Sequence, residues 1–396
     1  MALLGESELR DRVARLAAIE RPSASDGERR AAELIASELR DAGADARLEE
    51  EQAHGGYWWP LGIATGLGAL AGVAGRRRAA GLLGLAAAAA VADDLRVGPR
   101  LLRRLLPKRR TTNVVAEVGD REAERTLVLV AHHDAAHTGM VFHPEGPRAM
   151  ARAFPKFFEH VNTTPPTMWP AFAGPMLAGL GALAGRGGVR AFGAVLSAGF
   201  ALAMLDIGRR PVVPGANDNL TGVAVLLSIA RALGREPLEG LRVLLVSTGS
   251  EESLMEGMAG FGRRHFPTLA RDRTWVFCLD TVGSPHLLLL EGEGMLGVKE
   301  YPKEFLGLID ECAERLGIYV WPGLRFRNAT DALIALDAGY PTAMLGSGDE
   351  YRFPTDYHWP TDTPENVNYA TVADAARLCH ALAERLAADG RRDGAP

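Results

Sequence analysis

The chain has 396 residues, of which 47% are hydrophobic and 23% charged, with a formal net charge of -5. This size suits one large domain with insertions, or two domains, and the composition excludes a mostly disordered chain. The acidic balance argues against a general nucleic-acid-binding protein, which would more often be basic. Cys278, Cys312 and Cys379 are too few for a disulfide framework, so we expect a reducing compartment and three buried thiols.

The N-terminal segment is predicted to form two helices and an edge strand. Apolar residues recur at helical spacing over residues 6–20, and a second helix is predicted from Ser25 to Gly43 because Ser25 and Glu28 have capping-box spacing. Residues 47–51 read as a strand whose acidic positions suggest a sheet edge. The start of the chain lacks the basic residues and apolar core of a signal peptide, so we expect no secretion through a cleaved signal.

Two long stretches with almost no charge interrupt this pattern. Each consists of two uncharged segments around a short basic turn, which predicts an apolar helical hairpin with a basic tip. The segments are 57–75 and 79–92 around Arg76, Arg77 and Arg78, then 169–185 and 191–205 around 186–190. Because both hairpins enter the same half of the main domain, we expect them to pack together as a four-helix unit.

A basic segment, residues 96–110, follows the first hairpin and mixes arginines with leucines. This composition predicts an amphipathic helix at an anionic membrane surface. The uncharged segments, at about 14–19 residues, are near or below the ~20 needed to cross a bilayer, but Trp59 and Trp169 at their starts are typical of interfacial anchors. We therefore expect membrane contact through residues 57–110 and 168–210. The alternative is a soluble helical cap that shields the active site or forms a dimer.

Apolar strands alternate with helices through the rest of the chain. This alternation predicts an α/β fold of three layers, with a mainly parallel central sheet and helices on both faces. Ligands of such sheets bind at the carboxyl ends of the strands. The predicted strands are 112–118, 126–131, 241–247, 274–279, 286–290 and 342–345, and the predicted helices are 221–233, 254–264, 302–316 and 372–388.

Acidic and imidazole side chains stand where several of these strands end. His132 and Asp280 come directly after predicted strands, and the pair Glu251–Glu252 follows the strand 241–247 after three residues. Asp218 lies in the turn-rich loop before the next helix. All of them could therefore share one edge of the sheet.

Asp218 has the chemistry of a carboxylate that bridges two metal ions. Two close cations need a shared carboxylate to offset their repulsion, and Asp218 can offer one oxygen to each, at about 2.0–2.2 Å if the metal is zinc. Residues two apart in extended backbone share a face, so His132 can bind metal while Asp134 orients its imidazole. Sequence neighbours point apart, so Glu251 and Glu252 can divide the roles of base and ligand.

Simpler roles compete with these assignments. Asp218 could be a turn former or helix cap, Asp280 a strand-end cap, and the Glu251–Glu252 pair a solvated helix start. His133 could replace His132 as the ligand if the strand register shifts by one residue.

The candidate residues lie in five short motifs, which are Ala131–Asp134 (AHHD), Gly215–Asn219 (GANDN), Ser250–Glu252 (SEE), Leu279–Gly283 (LDTVG) and Tyr357–Pro360 (YHWP). In sequence and in order, these motifs resemble the ligand motifs of the di-zinc aminopeptidases, metallopeptidase family twenty-eight. The resemblance implies the fold of the zinc aminopeptidases and a cis peptide bond after Asp218.

The resemblance also implies two Zn²⁺ ions, although other divalent metals would suit the same residues. Their implied ligands are His132, Asp218 and Asp280 for one ion, and Asp218, Glu252 and His358 for the other. Glu251 would be the general base that takes a proton from the attacking water, and Asp134 would support His132.

These predictions divide the chain into a catalytic domain and two insertions. The domain would comprise residues 1–55, 111–147 and 211–390, the first hairpin and its basic segment 56–110, the second hairpin 148–210, and a tail 391–396.

We expect a metallopeptidase that removes N-terminal residues from peptide or aminoacyl substrates, with no nucleic-acid partner. A glutaminyl cyclase, a carboxypeptidase-like enzyme of the same fold and a catalytically idle membrane scaffold are the alternatives. The expected location is a membrane with the catalytic domain in the cytoplasm, or otherwise the cytoplasm, and a homo-oligomer is compatible with the sequence.

Overall fold

A computed structural model describes residues 3–74, 77–154, 156 and 161–393 of the chain. Gly75 and Arg76 of the first predicted hairpin and residues 394–396 of the predicted tail lie outside the described residues. The described residues form one nine-stranded sheet. Its strands are β1 (Asp45–Ala53), β2 (Arg109–Gly119), β3 (Thr126–His132), β4 (Arg242–Thr248), β5 (Thr274–Leu279), β6 (His286–Glu293), β7 (Lys299–Glu300), β8 (Val320–Phe326) and β9 (Thr342–Gly348).

The centre of the sheet is parallel and its flanks are antiparallel. The strand order is β1-β2-β4-β3-β5-β9-β6-β7, with β8 paired to β6. Strands β4, β3, β5 and β9 are parallel to one another, whereas β2 joins β4, and β6 joins β9, in antiparallel fashion. The predicted α/β fold is confirmed, and its parallel part occupies the middle, where helices cover both faces.

Helices form the outer layers of the fold. They are α1 (Glu6–Ala17), α2 (Asp26–Asp41), α3 (Trp58–Val73), α4 (Arg77–Leu95), α5 (Glu145–Ala153), α6 (Trp169–Leu183), α7 (Gly187–Ile207), α8 (Thr221–Arg235), α9 (Glu256–His265), α10 (Lys303–Leu316), α11 (Ala332–Asp337) and α12 (Tyr369–Asp393). Helices α1, α2, α8, α10 and α12 pack on one face of the sheet, and α9 and α11 pack on the other. All three cysteines are free and buried, as expected.

Strand β8 and helix α11 were not predicted from the sequence. Strand β8 contains Pro322 and Gly323, residues that weaken a strand pattern, and its pairing with β6 is irregular. Helix α11 has only six residues, too few for a helical period to stand out.

The four helices of the two predicted insertions, α3, α4, α6 and α7, pack against one another through small residues. A Cβ on Gly84 of α4 would lie 2.7 Å from the backbone of Gly179 in α6, and one on Gly193 of α7 would lie 2.2 Å from the backbone nitrogen of Ala178. Small side chains thus allow the helix backbones to approach closely. By length and composition alone, one described helix, Gly187–Ile207, could cross a membrane.

Residues 96–110 do not form the predicted amphipathic helix. The segment contains only a short 3-10 turn, Arg103–Leu105, and then enters strand β2 at Arg109. Pro99 and Pro107 leave too short an interval for a stable helix. Moreover, Arg103 is fully buried rather than turned toward a surface.

Candidate metal centre

Four adjacent strands bring the predicted site residues to one edge of the sheet. His132 is the last residue of β3, Glu251 and Glu252 follow β4, Asp280 follows β5 directly, and His358 lies in the segment after β9. Because β4, β3, β5 and β9 are neighbours and parallel, their carboxyl ends meet. Residues far apart in the chain therefore converge on one place.

Asp218 lies between two histidines. Its Oδ1 is 3.2 Å from Nε2 of His132, and its Oδ2 is 3.2 Å from Nε2 of His358. The same His358 nitrogen lies 3.1 Å from Oε1 of Glu252, and Nε2 of His132 lies 4.0 Å from Oδ2 of Asp280. Each oxygen of Asp218 thus faces a separate imidazole, with one further carboxylate beside each.

These five side chains are all buried, which makes their charges interact strongly. Burial raises the pKa of Asp280 to about 8, and the neighbouring carboxylates act in the same direction. His132 acts to lower this pKa but does not offset both effects. For Asp218, burial also acts to raise the pKa, but contacts with His132 and His358 outweigh it and hold the pKa well below its usual range. Burial opposes the charged form of His358, but Glu252 and Asp218 raise its pKa to about 10.

The donor set fits zinc. Oδ2 of Asp218 and Oε1 of Glu252 are buried and lie 3.2 and 3.1 Å from Nε2 of His358, but among the described residues neither oxygen receives a well-directed hydrogen bond. A buried carboxylate oxygen without a donor is costly, and a divalent cation would remove that cost. Ligand atoms of His132, Asp218 and Glu252 lie within 4.8 Å of one another. Imidazole nitrogens combined with carboxylate oxygens are a ligand set that zinc accepts.

The loop that presents Asp218 is fixed by a tight turn and a second carboxylate. Gly215 has φ 59°, and a Cβ there would lie 2.6 Å from the carbonyl oxygen of Asp218. Asp362 accepts hydrogen bonds from the backbone N–H groups of Asn217 (2.6 Å) and Asp218 (3.1 Å). The Asp218–Asn219 peptide bond is cis, as expected.

Asp134 joins His132 to the turn that carries the two glutamates. Its Oδ1 lies 3.4 Å from Nδ1 of His132 and accepts the N–H of Glu251 at 3.1 Å, while Oδ2 accepts the N–H of Glu252 at 3.1 Å. The hydroxyl of Ser23 donates to Oδ2 at 2.6 Å. One carboxylate thus orients the histidine and holds the following turn.

His133 does not face the cluster. Its Nδ1 lies 2.9 Å from the hydroxyl of Ser247, and burial lowers its pKa to about 4. The one-residue register shift that would have exchanged His133 for His132 is therefore wrong.

Glu251 lies beside the cluster and is less buried than Glu252. Burial raises the pKa of its carboxyl well above the usual value, since the nearby carboxylates of Glu252, Asp331 and Asp280 add to that effect and exceed the opposing effect of His132. A carboxyl whose pKa is raised in this way is suited to accept and return a proton.

Sequence reasoning missed three buried residues around the site. Arg21 donates to the carbonyl oxygens of His133, Pro214 and Gly215, at 2.7 Å each, and so ties β3 to the Asp218 loop. Asp331 accepts the hydroxyl of Thr248 through Oδ2, and its Oδ1 has no partner among the described residues.

For the third, Asp362, the sequence did carry a signal, because it lies two residues after the motif that carries His358. Arg21 and Asp331 follow no ligand motif, so only the folded chain reveals them.

The aromatic residues around His358 come from two parts of the chain. Tyr357 stacks on the ring of His358 at a centroid distance of 3.9 Å, and Phe142 meets that ring edge-on at 4.5 Å. Phe142 precedes the second hairpin, so that part of the chain contributes to the wall of the site.

Residues 204–383 match the family model described as Peptidase family M28. This range contains Asp218, Glu251, Glu252, Asp280 and His358, and only His132 and Asp134 of the predicted site lie before it. No curated protein sequence matches the chain.

Several solved structures share the fold. The glutaminyl cyclase of Bacteroides thetaiotaomicron is 12% identical with a TM-score of 0.58, and the alignment covers 96% of this chain and 98% of that one. The aminopeptidase of Aneurinibacillus sp. strain AM-1 is 14% identical with a TM-score of 0.56, covering 96% and 93%. The zinc aminopeptidase of Bacillus subtilis is 14% identical with a TM-score of 0.55, covering 96% and 95%. At such low identity these likenesses concern the fold alone.

Proposed function

We propose that the chain, which belongs to peptidase family M28, removes N-terminal residues from peptides by zinc-dependent hydrolysis. The observation that supports this proposal most strongly is the position of Asp218, whose two oxygens face His132 and His358 separately. A single metal ion would not need two imidazoles on opposite oxygens of one carboxylate.

We assign His132, Asp218 and Asp280 to one zinc ion, and Asp218, Glu252 and His358 to the other. When bound, the ions would polarise the scissile carbonyl and make a water molecule more acidic. The chain's own contribution is to hold these ligands in a buried place, where charge interactions are stronger than in water.

Glu251 is the proton carrier in this proposal. Its carboxylate takes a proton from the attacking water and returns it to the nitrogen of the leaving amine, so the peptide C–N bond breaks and no proton is lost. Asp134 keeps Nδ1 of His132 protonated, which leaves Nε2 free to bind metal.

The choice of an aminopeptidase over a cyclase rests on the sequence Asp218–Gly222, which resembles the peptidase branch of the family more than the cyclase branch. Glutaminyl cyclases and aminopeptidases are both among the similar folds, so the fold does not separate the two activities. An idle scaffold would have no physical need for so many buried carboxylates and imidazoles together.

A substrate panel with and without chelator separates these activities. The panel contains aminoacyl anilides, the same peptides with a blocked N-terminus, peptides that begin with glutamine, and peptides with a free or amidated C-terminus. We expect chelator-sensitive cleavage that requires a free N-terminus. Cyclisation of N-terminal glutamine without cleavage, dependence on a free C-terminus, or no chelator-sensitive turnover would each overturn the proposal in favour of one alternative.

We also propose that the four inserted helices contact a membrane, with the catalytic domain on the cytoplasmic side. Their outward faces carry large apolar side chains, among which Leu70, Leu82, Phe192, Val195 and Leu202 are each more than half exposed. Exposed Arg77, Arg78 and Arg186 at the hairpin tips would suit anionic headgroups. Apolar outer faces between basic tips favour lipid over water as their surroundings.

Membrane contact is tested by fractionation and by flotation with anionic and neutral vesicles. We expect the chain in the membrane fraction, released by detergent but not by salt. A monomer or a discrete oligomer that stays soluble without detergent would replace the membrane proposal with the soluble cap or the dimer. The orientation is tested by protease cleavage of the catalytic domain in intact cells, from which we expect protection.

A further inference from the structure

We propose that Arg103, in the first insertion, is a positioning residue for the catalytic turn that carries Glu251 and Glu252. This inference rests on the proposed hydrolase function. It gives the first insertion a part in the chemistry, in addition to any contact with a membrane. The residue acts through the turn and does not touch substrate.

Arg103 is completely buried, and its guanidinium donates hydrogen bonds on two sides. On one side, Nε and Nη2 donate to the two oxygens of Asp94, at 2.6 and 3.1 Å. On the other side, Nη1 donates to the carbonyl oxygen of Ser253 at 2.8 Å and to its hydroxyl at 3.1 Å. Because Asp94 lies in α4, this planar fork connects the inserted helix to the turn.

The turn itself has a backbone that needs external support. Ser250, Leu254 and Met255 have φ angles of 51°, 60° and 58°, in the left-handed region that residues with a side chain rarely adopt. Such conformations persist only when surrounding contacts determine them. Glu251 and Glu252 lie between these residues, so their directions depend on the same contacts.

The turn is held from two sides. On the side of the catalytic domain, Asp134 accepts the N–H groups of Glu251 and Glu252, and Glu28 accepts the N–H of Ser250 at 2.9 Å. The opposite side faces the insertion, where Arg103 bonds Ser253 and a second arginine, Arg100, donates to the carbonyl oxygen of Leu254.

The end of the turn is fixed by the same arginine. Glu256 begins α9, and its Oε1 lies 3.1 Å from Nη1 of Arg103. The hydroxyl of Ser253 donates to Oε2 of Glu256 at 2.6 Å, and Nδ1 of His54 lies 2.7 Å from Oε1. Loss of Arg103 would therefore remove one contact from each of Ser253 and Glu256, and the left-handed residues between the two contacts would lose part of their restraint.

The test compares Arg103→Met and Arg103→Lys with Arg104→Met, which changes an exposed neighbour in the same 3-10 turn. We expect Arg103→Met to lower kcat by about 10- to 100-fold, as the loss of a supporting contact around a metal site does. KM should change less than threefold, Arg103→Lys should recover part of kcat, and Arg104→Met should match the wild type.

A double-mutant cycle with Glu251→Gln identifies the path of the effect. If Arg103 acts by placing Glu251, then Arg103→Met should lower kcat much less in the Glu251→Gln background than in the wild type. Full additivity, or a wild-type kcat for Arg103→Met, would overturn the inference. If Glu251→Gln alone keeps wild-type turnover, the proposed function fails instead, so the two failures are distinguishable.

Arg103→Met leaves Asp94 without its charged partner and could prevent folding. Arg100→Met is the second variant, because Arg100 is only partly buried and donates to the carbonyl oxygen of Leu254 in the same turn. We expect Arg100→Met to lower kcat as well, but by a smaller factor. Its effect should also be non-additive with that of Glu251→Gln. An unchanged kcat in a folded Arg100→Met, together with unfolded Arg103→Met, would reduce Arg103 to a folding role and contradict the inference.

Discussion

Asp134 lies against the ring of His132, with Oδ1 3.4 Å from Nδ1, the nitrogen that points away from Asp218. The backbone carbonyl oxygen of Asp134 lies 3.3 Å from the same nitrogen. Both acceptors favour the tautomer with a proton on Nδ1, which leaves a lone pair on Nε2.

Asp134→Asn should therefore weaken metal binding at His132 by about 10- to 100-fold. The measurement is zinc affinity by competition with a chelator of known strength, which does not depend on turnover. Ser23→Ala is the matched control, since it removes one donor to Asp134 and keeps the carboxylate. Equal affinities in Asp134→Asn and the wild type would contradict the role of Asp134.

The proposed role of Asp218 as a bridge between two ions predicts the metal content. Elemental analysis of the wild type should give two zinc ions per chain. Asp218→Ala should retain at most one ion, because it removes a ligand from both positions at once. A wild type with one tightly bound ion, or an active Asp218→Ala variant, would point to another mechanism.

Glu256 predicts how stability depends on pH. Burial acts to raise its pKa, but His54 and Arg103 outweigh burial and lower the pKa from 4.5 to about 2. The folded chain therefore holds the charged form more firmly than the unfolded chain, so the stabilisation is complete above about pH 4.5. It is lost as the pH falls from there to about 2, and the shift corresponds to roughly 3 kcal/mol.

We expect the urea midpoint for unfolding of metal-free Glu256→Gln to lie well below that of the metal-free wild type at pH 7. The two midpoints should approach each other near pH 2.5. A difference that stays constant over this range would show that the carboxylate charge is not the source of the stability.

The close packing of the inserted helices predicts that alanine substitutions at two glycines have opposite effects on stability. Gly84→Ala should destabilise the unit by about 1–3 kcal/mol, because its Cβ would overlap the backbone of Gly179. Gly66→Ala is the matched control in α3, where nothing lies within 4 Å of the new Cβ and alanine favours the helix. Thermal unfolding checks both, and equal midpoints would contradict the close helix packing.

Local patterns in the sequence were enough to predict most of the fold and the region of the site. The continuous apolar run 126–131 indicated a central strand, and parallel strands place their carboxyl ends together, so strand patterns alone group His132 with Asp280. The five motifs supplied the identity of Asp218 and His358, which no periodicity would have selected.

What the sequence could not reveal depends on contacts between distant segments. Arg103 looked like one of many basic residues on an amphipathic helix, but Asp94 and Ser253 draw it into the interior. Arg21 bonds carbonyl oxygens more than a hundred residues away, which no local pattern records. Local composition does not predict whether an arginine is buried when its partners come from another part of the chain.

The central claim is that Glu251 moves the proton at a metal site built around Asp218, and the most direct measurement is the turnover of Glu251→Gln together with its zinc content. We predict that the variant keeps the metal content of the wild type while turnover of an aminoacyl anilide falls by about 10²–10⁴-fold, the usual contribution of a general base. Turnover like that of the wild type, at the same zinc content, would contradict the account.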